Sequence, residues 1–306
     1  MFKTAAKALL GSVGLSVRRT SVGVHIGRSR PPAVRTYTGE RPAEAPLPPL
    51  DRRAQRLRVA GVTYTDAPRW KNYVFICGLH RSGTTLLERL LVTHLDLAHL
   101  RADVAESEGQ HMQDVYTHDW MFGWIGQFAY DALEQIELQA LDDHPACFER
   151  IRAQWSRFAV GDSETLIEKT PSNLTKIWWL RRVFPGARFI VLTRDPRAAT
   201  AAQQGSFRVD RSLPDLMMHW NAAYSRALAD FDAADCMHLR YEDVVADQAG
   251  AIDAVADFCN IPRRAADGAM PERFAVLKNS NPKYIRLHEG RYYGRGAWDS
   301  FGYALD

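Results

Sequence analysis

Tyr73–Leu91, YVFICGLHRSGTTLLERLL, is the stretch of the chain that decides its fold class. Its first residues, Tyr73–Cys77, are apolar and typical of a buried β-strand, and its leucines recur at helical spacing. A turn from Gly78 to Gly83 joins the two. A strand, a glycine-bounded turn and a helix in this order direct backbone N–H groups and the positive end of a helix dipole at one anion. The stretch therefore predicts a phosphate-binding loop.

The loop differs from an ATP- or GTP-binding loop at one decisive position. Its Gly78-x-x-x-x-Gly83 spacing matches, but Thr84 and Thr85 stand where such loops carry lysine and then serine or threonine. The basic residue lies inside the turn instead, as Arg81. The loop therefore fits a phosphate-bearing donor but lacks the lysine that reaches β- and γ-phosphates. The candidate donor-binding residues here are Gly78, Arg81, Ser82, Gly83, Thr84 and Thr85.

Apolar strand-like runs alternate with helical patterns along the rest of the chain. The clearest runs are Thr165–Lys169, Ala187–Leu192 and Cys236–Leu239, and each precedes leucines or aromatic residues at helical spacing. This alternation predicts an α/β fold of the P-loop-like, three-layer type. We expect a central parallel sheet of about five strands, flanked by helices on both faces.

Cations stand at the ends of three predicted strands, as Arg81, Lys169 and Arg194. Ligands of parallel sheets bind at the carboxyl ends of the strands, so we expect these cations to surround a ligand with several anionic groups. An ATP-dependent enzyme needs a magnesium ligand, commonly an acidic residue that closes an apolar strand. Here the best strand closes on Thr193 and Arg194, and Asp195 is more simply a salt-bridge partner of neighbouring arginines. The sequence favours metal-free handling of a phosphate donor.

Charge separates a basic beginning from the remainder of the 306-residue chain. Residues 1–39 hold seven of the 39 lysines and arginines and no acidic residue, so the remaining 267 residues carry a net charge of −4. Six prolines lie in residues 30–50. We therefore predict a largely disordered, basic and proline-rich extension over residues 1–62 and one folded domain over residues 63–306. The acidic body argues against a nucleic-acid partner.

The basic tail leaves three alternatives for location. Its arginines and serines are typical of an organellar transit peptide, its apolar residues through Val17 would line one helix face for peripheral membrane contact, and a disordered extension would do neither. No apolar run approaches the ~20 residues of a membrane helix. The four widely spaced cysteines indicate reduced thiols. We expect a cytoplasmic protein, with an organelle or a membrane surface as the alternative.

Four motifs in order resemble the sulfotransferase superfamily, which uses 3′-phosphoadenosine 5′-phosphosulfate (PAPS). They are GLHRSGTTLLERLL (78–91), EKTPSNL (168–174), FPGARFIVLTRDPRA (184–198) and LRYEDVVAD (239–247), and the resemblance extends from Tyr73 to the C-terminus. Within this superfamily, the resemblance is to the carbohydrate and protein-tyrosine sulfotransferases. It implies metal-free, in-line transfer of a sulfuryl group to a hydroxyl or amine. The acceptors compatible with it are a carbohydrate, a lipid, a phenol or a peptide.

The resemblance also implies roles for single residues. The loop Gly78–Thr85 would hold the 5′-phosphosulfate, with Arg81 beside the sulfuryl group, and Arg194 would hold the 3′-phosphate. Lys169 would stabilise charge on the bridging oxygen, assisted by Ser280.

The 3′-phosphate site departs from the family pattern. Ala202 stands eight residues after Arg194, where the family usually has a serine. The missing hydroxyl contact is worth about 0.5–1.5 kcal/mol. Thr200 is the neighbouring hydroxyl candidate for donor binding, although it lies on another side of the predicted helix.

The general base must lie within hydrogen-bond reach of the acceptor proton. Family members with a carboxylate base carry it in the loop after the first helix, where this chain has Glu106, Glu108 and His111. We favour Glu106 over Glu108, with His111 third. The dense aromatic residues of Trp120–Tyr130 would line an acceptor pocket or lid, or form the core-facing side of a helix.

Two other functions stay open at this point. A P-loop kinase or other nucleotide phosphotransferase would share the loop, but the missing lysine after Gly83 and the missing magnesium ligand argue against it. A nucleotide-binding domain that has lost activity would be compatible with Ala202 and with three candidates for the base.

Overall fold

The structure is a computed structural model that describes most of the chain after residue 69 and two short strands before it. The described residues are 15–20, 23–28, 70–102, 105–264 and 277–305.

The chain divides into two units, Met1–Gly39 and Glu40–Asp306. The first contains strands β1 (Leu15–Thr20) and β2 (Gly23–Arg28), which pair antiparallel as a hairpin. The helix considered above for the tail therefore does not continue through Val17, which lies in β1. The rest of the predicted extension lies outside the described residues.

A six-stranded sheet forms the centre of the second unit, in the order β5-β4-β6-β3-β7-β8. Its strands are β3 (Asn72–Cys77), β4 (Ala98–Leu100), β5 (Ala159–Val160), β6 (Thr165–Lys169), β7 (Arg188–Thr193) and β8 (Cys236–Arg240). Five of them run parallel, and β5 pairs antiparallel with β4 at one edge. The predicted α/β fold with a parallel sheet of about five strands is confirmed. Strands β4 and β5 were not predicted, because two or three residues are too few for a periodic pattern.

Helices follow the strands on both faces of the sheet. Within the described residues they are α1 (Thr84–His94), α2 (Ala132–Ala140), α3 (His144–Trp155), α4 (Ile177–Val183), α5 (Pro196–Phe207), α6 (Leu213–Asp230), α7 (Tyr241–Ala246), α8 (Gln248–Cys259), α9 (Asn281–Ile285) and α10 (Ala297–Ser300). In the described part of the chain, none of these helices has the length and apolar character needed to cross a membrane.

The central strand β3 explains the three layers. Its side chains alternate between the two faces of the sheet. Val74 and Ile76 join a buried cluster with residues of α1 and α8, whereas Phe75 and Cys77 join a second cluster with residues of α3 and α6. Because both faces of β3 are covered, its run of apolar residues is continuous, as in a buried parallel strand.

The register brings the predicted strand ends together at one edge. Ile76, just before the phosphate-binding loop, pairs with Lys169 at the end of β6. On the other side of β3, Cys77 pairs with Val191, two residues before β7 ends at Thr193. The loop therefore lies between the ends of β6 and β7.

The region between β4 and α2 is built from short 3-10 turns. They are Ala105–Ser107, Gly109–His111, Asp119–Phe122 and Phe128–Tyr130. The helix expected as one alternative for Trp120–Tyr130 is therefore wrong, although Phe122 and Phe128 do pack in the core. Positive φ angles at Gly123 (89°), Trp124 (57°) and Gly126 (81°) interrupt any continuous helix there.

Candidate active site

The predicted phosphate-binding loop, Gly78–Thr85, has the backbone of an anion site. Arg81 and Gly83 adopt left-handed φ angles of 68° and 97°, and Gly83 forms the N-cap of α1. The first intrahelical bond of α1 runs from the Leu87 N–H to the Gly83 oxygen. The N–H groups before Leu87 thus have no acceptor within the helix and are available to an anion.

Close approach explains both glycines of the loop. A Cβ on Gly78 would lie 2.5 Å from the Leu192 carbonyl oxygen, and one on Gly83 would lie 2.6 Å from the Tyr241 ring. The Arg81 side chain is exposed, and within the described residues no hydrogen bond or ion pair holds its guanidinium group. A cation at this position is therefore free to pair with a ligand.

Side chains from two helices hold the loop in place. The buried Tyr224 hydroxyl of α6 accepts a hydrogen bond from the Leu79 N–H (3.3 Å) and donates one to the Leu192 oxygen (2.7 Å). From α5, the Gln203 amide donates to the His80 oxygen (2.7 Å). The loop is therefore preorganised by contacts to residues far away in the sequence.

Lys169 joins the strand end to the loop that carries the candidate bases. Its side chain is 1% exposed, and its Nζ donates to the Glu106 carbonyl oxygen (3.2 Å) and lies 3.4 Å from Glu108 Oε1. The exposed Glu106 carboxylate accepts a hydrogen bond from Thr85 Oγ1 at 3.3 Å. Glu106 and Ser107 both have positive φ angles, 50° and 53°, a strained backbone of the kind concentrated at functional sites.

Glu108 has a different environment from Glu106. It is buried, it accepts from Gln110 Nε2 at 2.8 Å, and its Oε2 lies 3.8 Å from His111 Nε2. Burial raises the pKa of the Glu108 carboxyl, and the Lys169 ammonium opposes that rise. The structure thus brings together all three candidate bases but exposes the carboxylate of Glu106 and pairs that of Glu108 with Lys169.

Arg194 is a buried cation with neutral partners. It donates to the Arg81 carbonyl oxygen (2.8 Å), to Ser280 Oγ (3.1 Å) and to Asn281 Oδ1 (2.8 Å), and its guanidinium lies 4.5 Å from the centre of the Tyr241 ring. Burial lowers the pKa of Arg194.

No carboxylate among the described residues forms an ion pair with Arg194. Asp195 pairs with Arg197 instead (2.8 Å) and caps α5 through the N–H groups of Arg197 and Ala198. Asp195 is thus a salt-bridge partner, as its position next to the arginines predicts. Glu242 is the acidic neighbour of Arg194, and within the described chain it reaches the guanidinium only through Asn281. A buried cation without a direct carboxylate partner favours an anionic ligand at this point.

The hydroxyls near Arg194 are arranged differently from the sequence expectation. Thr200 is fully buried, and its hydroxyl donates to the Pro196 oxygen of its own helix at 2.7 Å. Ala202 is also fully buried. Ser280, which the resemblance associates with Lys169, contacts Arg194 instead.

Comparison with known proteins decides the family. The sulfotransferase family model matches residues 73–265, more than half of the 306-residue chain. The chain belongs to the sulfotransferase family. The resemblance inferred from the four motifs is confirmed.

Several relatives of this sulfotransferase are known. Protein-tyrosine sulfotransferase 1 of Danio rerio is 26% identical over 229 residues, 69% of this chain and 58% of the relative. Protein-tyrosine sulfotransferase A of Caenorhabditis elegans is 23% identical over 216 residues, 63% of this chain and 51% of the relative. The chain thus spans a little over half the length of these two curated relatives.

Solved structures of other sulfotransferases are also similar. The sulfotransferase domain of the Synechococcus PCC 7002 olefin synthase is 16% identical, with a TM-score of 0.48 over 80% of this chain and 99% of that one. A sulfotransferase from Alicyclobacillus acidocaldarius is 14% identical, with a TM-score of 0.42 over 73% of this chain and 91% of that one.

Four residues of the candidate site had no role in the sequence analysis. Glu168 accepts hydrogen bonds from the Gly109 N–H (2.9 Å), Thr170 Oγ1 and Asn173 Nδ2, so it fixes the loop of the candidate bases to the end of β6. The others are Gln203, Tyr224 and Glu242. Glu168 and Glu242 lie within the quoted motifs, a usable signal. Gln203 and Tyr224 lie on ordinary helix faces, where no local pattern marks them.

Glu242 ties the end of β7 to the C-terminal part of the chain. Its carboxylate accepts from the Asp195 N–H (2.9 Å), from the Tyr303 hydroxyl (2.8 Å) and from the Asn281 amide. Because Asn281 also accepts from Arg194, Glu242 orients the residues around that cation indirectly. In the described residues no group of three or more His, Cys, Asp or Glu side chains is placed to hold a metal ion.

Proposed function

We propose that this sulfotransferase uses PAPS and transfers its sulfuryl group to a hydroxyl group of an acceptor. The observation that carries the proposal is a hydrogen bond between the guanidinium group of Arg194 and the backbone of the loop. Arg194 donates to the backbone oxygen of Arg81, so a buried cation without a direct ion pair lies beside the predicted phosphate-binding loop. A donor with two separate anionic groups, a 5′-phosphosulfate and a 3′-phosphate, fits this arrangement.

The donor would be held by the loop and by Arg194. The loop Gly78–Thr85 offers its N–H groups and the positive end of α1 to the 5′-phosphosulfate, with the Arg81 side chain beside the sulfuryl group. Arg194 pairs with the 3′-phosphate. Ser280 already contacts Arg194, so its hydroxyl supplies the contact that Ala202 lacks.

Transfer then needs a base and a cation at the reacting centre. Glu106 accepts the proton of the acceptor hydroxyl as the new sulfur–oxygen bond forms, because its carboxylate is exposed and held by Thr85 beside the loop. Lys169 stabilises the negative charge on the phosphate oxygen as the donor's sulfur–oxygen bond breaks. Glu108 holds Lys169 in position. The products are the sulfated acceptor and adenosine 3′,5′-bisphosphate.

The acceptor is a hydroxyl-bearing molecule, and a protein tyrosine is one candidate. The support for tyrosine is the similarity to the two protein-tyrosine sulfotransferases, which this chain matches over part of their length.

Ligand-induced thermal shift tests the choice of donor. Adenosine 3′,5′-bisphosphate is expected to raise the melting temperature in the presence of a chelator, because binding only to the folded state stabilises it. Stabilisation by Mg-ATP and not by the bisphosphate would support a nucleotide phosphotransferase instead.

Transfer of labelled sulfate from PAPS to acceptors tests the activity. Arg81→Ala is expected to abolish transfer. Bisphosphate binding together with undetectable transfer in the wild-type protein would favour the inactive nucleotide-binding domain.

A further inference from the structure

A continuous row of rings lies beside the proposed reacting centre. We call it the aromatic wall, and it consists of His80, Phe207, Trp124, Trp120 and His111. Successive ring centres are 6.0 Å apart for His80 and Phe207, 5.4 Å for Phe207 and Trp124, 5.9 Å for Trp124 and Trp120, and 5.4 Å for Trp120 and His111. All four of these ring pairs are edge-to-face, a favourable aromatic geometry that fixes their positions.

Both ends of the aromatic wall reach groups with proposed roles in transfer. His111 Nε2 lies 3.8 Å from the Glu108 carboxylate, which pairs with Lys169. His80 directly precedes Arg81, and its carbonyl oxygen is held by Gln203. The wall therefore spans from the predicted phosphate-binding loop to the loop of the candidate bases.

The middle of the wall is open to solvent and strained. Trp120 is 45% exposed and Trp124 is half-buried. Trp124 has a φ of 57°, the left-handed region that bulky residues rarely adopt, and glycines with positive φ stand at positions 123 and 126. Strain at a non-glycine residue is concentrated at functional sites, and here the strained Trp124 holds its ring against the exposed Trp120.

The aromatic wall can stack on a ligand but contributes no lysine or arginine. No lysine or arginine in the described part of the chain stacks on the ring of Trp120 or Trp124. His80 is neutral near pH 7, because burial lowers its pKa to about 3. Recognition of acidic peptides uses clusters of arginine, and the wall contributes none.

We infer, resting on the function proposed above, that the acceptor presents a hydroxylated ring which stacks on Trp120 and Trp124 during transfer. Ring stacking, not ion pairing, then selects the acceptor. A phenol and a pyranoside share this chemistry, since each has a flat, apolar face and a hydroxyl at its rim. Trp120 is the residue that determines specificity, because it is the more exposed of the two platforms.

Calorimetric titration tests the inference without requiring transfer. The probes are 2-naphthol for a phenol, methyl β-cellobioside for a pyranoside, and a glutamate-rich tyrosyl peptide, each added in the presence of adenosine 3′,5′-bisphosphate. At least one of the two ring probes is expected to bind the wild-type protein. Trp120→Ala is expected to weaken that binding about tenfold, which corresponds to about 1.4 kcal/mol, and Trp120→Phe to restore most of it.

Tyr130→Ala is the matched control. Tyr130 is 46% exposed, close to the 45% of Trp120, but its ring contacts His219 and, among the described residues, none of the wall. It is expected to leave the dissociation constants unchanged. Binding of 2-naphthol indicates a phenol as the acceptor, and binding of methyl β-cellobioside indicates a pyranoside.

Three results would overturn the stacking inference: neither ring probe binds, Trp120→Ala binds them as tightly as the wild-type protein, or only the acidic peptide binds. The proposed function fails by other measurements, namely the thermal shift with the bisphosphate and the transfer of labelled sulfate. The failure of one is therefore distinguishable from the failure of the other.

Discussion

Replacement of Arg194 by methionine tests the donor site most directly. Methionine keeps an unbranched stem over the Tyr241 ring but removes a cation that the described residues leave without a carboxylate partner. A hydrogen bond to a charged group contributes about 1.5–3 kcal/mol. At about 1.4 kcal/mol for each factor of ten, the loss of one such bond weakens adenosine 3′,5′-bisphosphate binding by roughly 10- to 150-fold.

A second ligand separates the 3′-phosphate from the rest of the site. Arg194 also donates to the Arg81 oxygen, so its loss could disturb the phosphate-binding loop itself. Adenosine 5′-phosphate lacks the 3′-phosphate, and Arg194→Met is expected to change its dissociation constant far less than that of the bisphosphate. Equal weakening of both ligands, measured by calorimetry, would refute the assignment of Arg194 to the 3′-phosphate.

Two further variants test which residue supplies the hydroxyl that contacts the 3′-phosphate. Ser280→Ala is expected to weaken bisphosphate binding by roughly 2- to 12-fold, the range for one neutral hydrogen bond of about 0.5–1.5 kcal/mol. Ala202→Ser is expected to bring no gain, because residue 202 is fully buried and the new hydroxyl would lie in the core. A tighter complex with Ala202→Ser would contradict this placement.

Three other predictions concern the reacting centre and the loop. Glu106→Gln is expected to lower kcat by about 10²–10⁴-fold and to leave bisphosphate binding unchanged in calorimetry; near-normal kcat would exclude Glu106 as the base. Lys169→Met leaves Glu108 buried without its cation, so the pKa of Glu108, already raised by burial, rises further. A carboxyl whose pKa is raised in the folded state contributes its full stability below its unfolded pKa of about 4.3, and that stability is lost as the pH rises through the folded value. Urea unfolding of Lys169→Met should therefore show a loss of unfolding free energy of about 3–5 kcal/mol at pH 8 and a smaller loss at pH 5. An equal loss at both pH values would contradict this. Tyr224→Phe is expected to cost about 1–3 kcal/mol in unfolding free energy and to weaken bisphosphate binding, because the Leu79 N–H and the Leu192 oxygen lose their partner. The control is Tyr116→Phe, which removes a buried hydroxyl that has no hydrogen-bond partner among the described residues and should cost little.

Much of the fold was predictable because its signals are local. The apolar run of β3 and the leucines of α1 can be recognised within a few residues, and the glycines at 78 and 83 mark the turn between them. The region from residue 101 to 131 was not predictable in this way. Its short 3-10 turns have no period, and a tryptophan gives no local signal for the left-handed backbone that Trp124 adopts.

The candidate site shows the same division. The sequence placed Arg81, Lys169 and Arg194 at strand ends, and the parallel register brings those ends to one edge. It ranked Glu106 before Glu108 but could not show the physical difference between them, which is one of burial and of pairing with Lys169. Burial depends on how distant segments pack, and no short window of sequence contains that information.

By itself, the sequence determined a glycine-bounded loop between a strand and a helix without the lysine of an ATP-binding loop, a parallel sheet and cations at the strand ends. Periodicity and glycine turns are properties of neighbouring residues, so they survive in a one-dimensional pattern. Only the tertiary structure decided that Arg194 meets Arg81, Ser280 and Asn281, and that Thr200 and Ala202 are turned into the core. The contacts of Arg194 join residues 86 to 113 positions apart. The contact with Arg81 forms because the sheet places the ends of β3 and β7 side by side, and the other two depend on how the C-terminal part of the chain packs against that edge.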